Sequence, residues 1–142
     1  MNNFMNRFPL IAPAFLRIGI TVVYLWFGLQ QLISPLMWVS YIPKSIVALS
    51  PVSAQMLVYC NGAFEIVFGL ALLFGFFTRV SALLLAVHML DITLIVGYNA
   101  IGVRDYGIVI ATFAVFFFGP DVLSLDSFFR KSKEGIVQGT NI

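Results

Sequence analysis

The chain has one cysteine, one histidine and little charge of either sign in 142 residues. A single cysteine, Cys60, excludes an intrachain disulfide, a CxxC redox pair and a cysteine-built zinc cluster. A single histidine, His88, excludes bis-histidine haem ligation within one chain. Charged residues make up 10% of the sequence, against roughly 25% in soluble domains, which sets the chain outside the soluble class. The net charge of +2 is too small and too scattered to argue for a nucleic-acid partner.

Apolar residues fill the space left by charge. The sequence is 61% hydrophobic with a mean hydropathy of +1.00, and phenylalanine alone contributes 15 residues. A membrane span needs about 20 mostly apolar residues, and four such runs can be marked. The first is 13–33, with Pro13 in a favoured first-turn position and Ser34-Pro35 as its stop. The second is 51–77, opened by Ser50-Pro51, and the third is 79–98, after a turn short enough for only a tight helical hairpin. The fourth is 101–118, stopped by Gly119-Pro120. Runs of this length exclude a β-barrel, whose strands need only about ten residues. The expected fold is therefore all-α, an up-down bundle of four transmembrane helices forming one domain over 1–130. The basic and polar tail, 131–142, is expected to fray. The N-terminus reads as an uncleaved first span, because its apolar stretch outruns the ~7–15 residues of a signal core.

Basic residues set the orientation. Arg7, Arg17, Arg79, Arg130, Lys131 and Lys133 fall on the side of both termini, and only Lys44 and Arg104 on the other. The excess of positive charge in cytoplasmic segments then puts both termini in the cytoplasm. The 34–49 loop lies outside, carrying Pro35, Trp38, Tyr41 and Pro43. It either rests at the headgroups as an aromatic belt or covers the outer mouth of the bundle as a lid. The stretch 124–133 mixes Leu125, Phe128 and Phe129 with basic residues, the pattern of a short interfacial helix drawn to anionic lipid.

Three ionisable residues lie deep in the spans: Glu65, His88 and Asp91. A charge at bilayer depth costs on the order of 3 kcal/mol, so such residues pair with one another or line a wet cavity. Helical spacing gives each span one polar face. The stripes are Arg17, Thr21, Tyr24, Gly28 and Gln31; then Gly62, Glu65 and Gly69; then Ser81, His88, Asp91 and Tyr98; then Asp105, Thr112 and Gly119. These faces are expected to meet, with Arg104 reaching inward to neutralise Asp91 or Glu65. Arg17 either snorkels to the inner headgroups or acts inside the bundle. Glu65, His88 and Asp91 then form either a structural network that fixes helix register or a proton-handling, quinone-headgroup site. Histidine suits the second reading because its charge changes near neutral pH. A metal site is disfavoured, since second-shell donors are scarce.

Several stretches, taken in order, resemble the DoxX/DoxD-like membrane proteins. They are Leu16-Arg17 leading to Trp26-Phe27-Gly28-Leu29-Gln30, Glu65 to Gly69 with Leu72 to Gly75, and Phe77-Thr78-Arg79. Arg104-Asp105-Tyr106-Gly107 and Gly119-Pro120 followed by Leu123 to Asp126 continue the series. The resemblance implies a small four-span bacterial inner-membrane protein linked to redox systems. Relatives include a subunit of thiosulfate:quinone oxidoreductase and a component of a membrane-associated oxidoreductase complex. It carries over Arg17, Gln30, Glu65, Arg79, Arg104 and Asp105, whereas His88 and Asp91 rest on the polar-face argument alone. Family members often show a lysine after the span-one glutamine, where this chain has Gln31.

Three functions follow as expectations. The first is an accessory subunit of a redox or respiratory membrane complex, without complete catalysis of its own. The second is a quinone-binding oxidoreductase subunit, with Glu65, His88 and Asp91 as proton relay and Arg17, Tyr24, Gln30, Arg104 and Asp105 at the ligand. The third is a small transporter or channel. The partners are the lipid bilayer and either other redox subunits or further copies of the chain.

Overall fold

The computed structural model describes residues 8–139, with side chains described through Ser132. Arg7, the Lys133 side chain and residues 140–142 of the tail lie outside the described residues. The described chain is all helical. Four helices are long and apolar enough to cross a membrane: α1 (Phe8–Ile33), α4 (Ala54–Phe74), α5 (Thr78–Val96) and α6 (Ala100–Phe118). Two short helices, α2 (Leu36–Val39) and α3 (Lys44–Leu49), lie in the first connection, and α7 (Leu125–Gly139) follows the last span. This is a multi-pass membrane protein built as a four-helix bundle.

Local chemistry fixes the ends. Pro13 sits inside α1 rather than in its first turn, because the helix is already formed at Phe8. Ser53, not Ser50, caps α4, its hydroxyl accepting the Met56 amide at 3.2 Å, and the helix accordingly begins at Ala54. Gly75 closes α4 in the left-handed conformation (φ 66°), which glycine adopts without steric cost. Phe77 follows at φ 47°, rare for a residue with a side chain. The carboxylate of Asp126 holds it there, accepting from the Phe77 and Thr78 amides at 3.0 and 2.7 Å and from the Thr78 hydroxyl at 2.8 Å. The N-terminal donors of α5 are thus satisfied by the first turn of α7. Asn99 caps α6 through the Ile101 and Gly102 amides.

The helices pack as two close pairs, α1 with α4 and α5 with α6. Lipid tails are as apolar as leucine, so burial of hydrocarbon drives little of this association, and close packing and polar contacts carry it. In the first pair the backbones meet at Gly28 and Gly62, where a Cβ on either would lie 2.9 Å from the other's carbonyl oxygen. Tyr24 joins the pairs, donating to the Leu85 carbonyl at 3.2 Å and lying 3.0 Å from the Thr112 hydroxyl. Leu72, Leu85, Val109 and Val115 fill the core around it. Outward, large apolar side chains such as Phe15, Ile110 and Phe117 stand exposed on all sides, an unsuitable surface in water and an ordinary one in lipid.

Candidate functional site

The helix ends remote from the termini enclose a cavity of ≈ 450 Å³. Its walls are mostly aliphatic, from α1, α4, α5 and α6, with Tyr24 toward the bundle centre. The 34–49 connection contributes Trp38, Tyr41, Ile42, Pro43 and Ile46 and thereby roofs it. The roof is pinned by Trp38, which packs edge-on to Phe27 at 5.7 Å and lies 6.0 Å from Tyr41.

One wall is polar and mutually bonded. Glu65 is buried, and its two oxygens accept from the Gln31 amide at 3.0 Å and the Asn61 amide at 3.2 Å. Asn61 donates as well to the Gln31 side-chain oxygen at 2.6 Å. The three side chains form a closed ring between α1 and α4, one helical turn from the Gly28–Gly62 crossing that brings the helices together. Across from it on α5, His88 stacks on Phe64 with ring centroids 4.6 Å apart. Its Nε2 lies 3.5 Å from Glu65 Oε1 without the alignment of a hydrogen bond, and it is a buried nitrogen with no hydrogen-bond partner among the described residues. A buried nitrogen left unmatched typically costs about 1–3 kcal/mol, and His88 as a residue lines the cavity.

A second polar cluster lies at the other end of the bundle. Arg17 is 1% exposed; its Nε donates to Asp121 Oδ2 at 2.6 Å and its Nη2 to Oδ1 at 3.2 Å. Its Nη1 donates to the carbonyls of Leu72, at 2.7 Å, and Leu73. Arginine thus caps the last turn of α4 while pairing with an acid beyond α6.

The sequence model of one protein family, described as DoxX, matches residues 12–98. The chain belongs to the DoxX family. No curated protein and no solved structure matches it. The DoxX match runs from α1 through α5 and therefore spans Arg17, Gln31, Glu65, His88 and Asp91. It ends before α6, so Arg104 and Asp105 stand outside the matched residues.

In this DoxX chain the expected site residues separate into three groups. Tyr24, Glu65, His88, Asp91, Arg104 and Asp105 all line this cavity. Arg17 does not, because Asp121 and the α4 carbonyls hold it at the opposite end, buried inside the bundle rather than snorkelling. Gln30 does not line the cavity either: Gln31, one position on, is the buried residue that turns to Glu65.

Arg104 does not neutralise Asp91 or Glu65. It pairs with its neighbour Asp105 at 2.8 Å and lies over the Phe27 ring, 5.3 Å from its centroid. The adjacent carboxylate is buried while the arginine head is half exposed, so the shortest route for the charge is sideways, not inward. Asp91 lines the cavity rim from an exposed position on α5 and makes no hydrogen bond or ion pair among the described residues. Asn61 and Asp121 were not expected to contribute. A buried arginine and an acid just past the Gly119-Pro120 stop, at one membrane level, were the available signal for Asp121.

Proposed function

We propose that this DoxX-family chain is the membrane subunit of a redox-linked assembly, and that its outer cavity holds the headgroup of a quinone or quinol. The observation that carries the reading is His88, a cavity-lining residue whose buried Nε2 has no hydrogen-bond partner among the described residues and lies 3.5 Å from Glu65. A volume of ≈ 450 Å³ falls within the roughly 300–1,000 Å³ of small-ligand sites, and mostly apolar walls with a few convergent polar groups are their usual lining. A bound quinol supplies two electrons and two protons. In this reading His88 would hydrogen-bond a ring oxygen and accept one of the two protons. Glu65, 3.5 Å further on, receives that proton or steadies the imidazolium, and Gln31 and Asn61 hold the carboxylate in position. Asp91, at the rim, is the outward member of the relay. The apolar roof of Trp38 and Tyr41 keeps bulk water from the headgroup.

Electrons pass to a partner subunit in this reading, which makes the chain accessory rather than a complete enzyme. Asp91 supports placement in a larger assembly, since an exposed carboxylate on the flank of a span is costly until water, a ligand or a neighbouring helix meets it. The family resemblance supports the redox association and a bacterial inner-membrane location.

The test is saturable quenching of Trp38 emission by a short-chain quinone analogue, using the purified chain in a Trp26→Phe background. Binding is expected for the parent protein. His88→Phe and Glu65→Gln are each expected to weaken it about tenfold, the effect of one lost hydrogen bond of about 1.4 kcal/mol. Absence of saturable binding, or equal affinity in both variants, refutes the assignment.

A further inference from the structure

Charge is satisfied unevenly at the two ends of the bundle. At the end bearing the termini, the two acids whose side chains are described are used inside the fold: Asp121 by Arg17, and Asp126 by the Phe77 and Thr78 donors. Among the described residues the cations there have no such partners. Arg79, Arg130 and Lys131 are exposed and make no hydrogen bond or ion pair among the described residues. Arg79 folds over Gly119, where an added Cβ would lie 2.6 Å from its Nε. Gly119 in turn shares a groove of ≈ 230 Å³ with Arg130 and Lys131, walled by Pro9, Leu10 and Phe118. The three cations therefore border one region.

Beside them lies an apolar patch that the bundle does not cover. Val122, Leu123, Leu125, Phe128 and Phe129 are all exposed, Phe128 at 68%. The patch is held in place, not loose: Ser124 and Ser127 are buried and bonded to each other at 3.0 Å, and Asp126 ties α7 to the start of α5. It stands at the end of four helices long and apolar enough to cross a membrane, the end of a span being where lipid headgroups begin. Free phosphate would leave the phenylalanines in water, whereas an anionic lipid meets the charge with its headgroup and the rings with its chains.

We propose that this end of the chain is a docking surface for anionic phospholipid. Arg79, Arg130 and Lys131 meet the phosphates, and Phe128, Phe129 and Leu125 enter the boundary of the acyl chains.

The full chain, reconstituted in phosphatidylcholine bilayers with a minority of phosphatidylglycerol, is re-extracted in mild detergent, and the retained lipid is quantified by mass spectrometry. Phosphatidylglycerol is expected to be enriched over its bulk fraction, and enrichment is expected to fall as salt is raised. R79Q, R130Q and K131Q are each expected to lower it, by about fivefold per charge removed. K44Q, at the opposite end, leaves it unchanged. The three single variants are measured along with the triple one, so that misfolding of the latter does not decide the matter. Wild-type enrichment retained in all of the folded variants overturns the proposal, as does enrichment that salt does not affect. Displacement by inorganic phosphate where chloride of equal ionic strength fails would identify a free-phosphate site and also overturn it.

Discussion

Two buried charged residues, Glu65 and Arg17, hold comparable depth in opposite halves of the bundle and do different work. Glu65 is met by neutral amides and an unmatched histidine, and it borders open space. Arg17 has every direction filled, by Asp121 and by two backbone carbonyls. The first arrangement leaves hydrogen-bonding capacity for a ligand, and the second leaves none. Removing one partner of a buried pair strands the other charge. Arg17→Met and Asp121→Leu are each expected to destabilise the protein by about 3–5 kcal/mol, and the double substitution by clearly less than either alone. Thermal unfolding in detergent measures this, and additive losses would show that the pair is not the coupling unit. Much of this was legible from residue type alone, since an acid in an apolar run announces itself. The direction of Arg104 was not legible, because a choice among Asp91, Glu65 and Asp105 turns on side-chain geometry that spacing does not encode.

At the scale of the helices, spacing foretold three polar faces and misplaced part of a fourth. Steps of four, three, four and three carry Arg17 to Gln31 with a lag of only about 40° at 3.6 residues per turn, and all five residues of that stripe are buried. Steps of seven, three and seven carry Ser81 to Tyr98 with a lag of about 100°, so the stripe slides off the buried face. Ser81 is buried, His88 is intermediate, and Asp91 and Tyr98 are exposed. Small-residue faces can serve a partner or the chain's own packing, and Gly28, Gly62 and Gly69 are buried inside the chain's own bundle. A sequence does not say which small-residue face its own fold has already occupied. Gly62→Val is expected to lower stability by about 1–3 kcal/mol, because the Gly28 carbonyl and Gln31 side chain must give way. The same displacement loosens Gln31 from Glu65. Unchanged unfolding in this variant would mean that the crossing is softer than its 2.9 Å approach implies.

For the whole molecule, the bundle and its membrane class were legible because run length and hydropathy determine them directly. The roof over the cavity was not, since an aromatic loop at a membrane surface looks the same whether it lies flat or folds inward. The expected orientation rests on charge: Arg79, Arg130 and Lys131, without a partner among the described residues, gather at the end of the termini, and Lys44 stands at the other. In a Cys60→Ser background, Lys44→Cys is expected to react with a membrane-impermeant thiol reagent in intact cells, and Ser132→Cys only after lysis. The reverse pattern would place the cavity on the cytoplasmic face.

The distribution of bonds between the two helix pairs has a mechanical consequence. Arg17 to Asp121 and Tyr24 to Leu85 and Thr112 join the pairs from one end to the middle. Beyond Tyr24, among the described residues, the Phe64–His88 ring contact, the unaligned approach of His88 to Glu65 and the Arg104 contact with Phe27 bridge them, and none of these is a hydrogen bond. The molecule is a pair of tongs, with its pivot near the termini and its jaws around the cavity. A bulkier guest is accommodated by splaying the jaws a little, at a cost that grows with the spread rather than by a hard steric limit. Selectivity at such a site falls on the headgroup's oxygens far more than on its girth. Amide hydrogen exchange is expected to be faster at the cavity ends of α5 and α6 than at their opposite ends, and a bound analogue is expected to slow the cavity ends alone. Uniform exchange along both helices would remove the pivot.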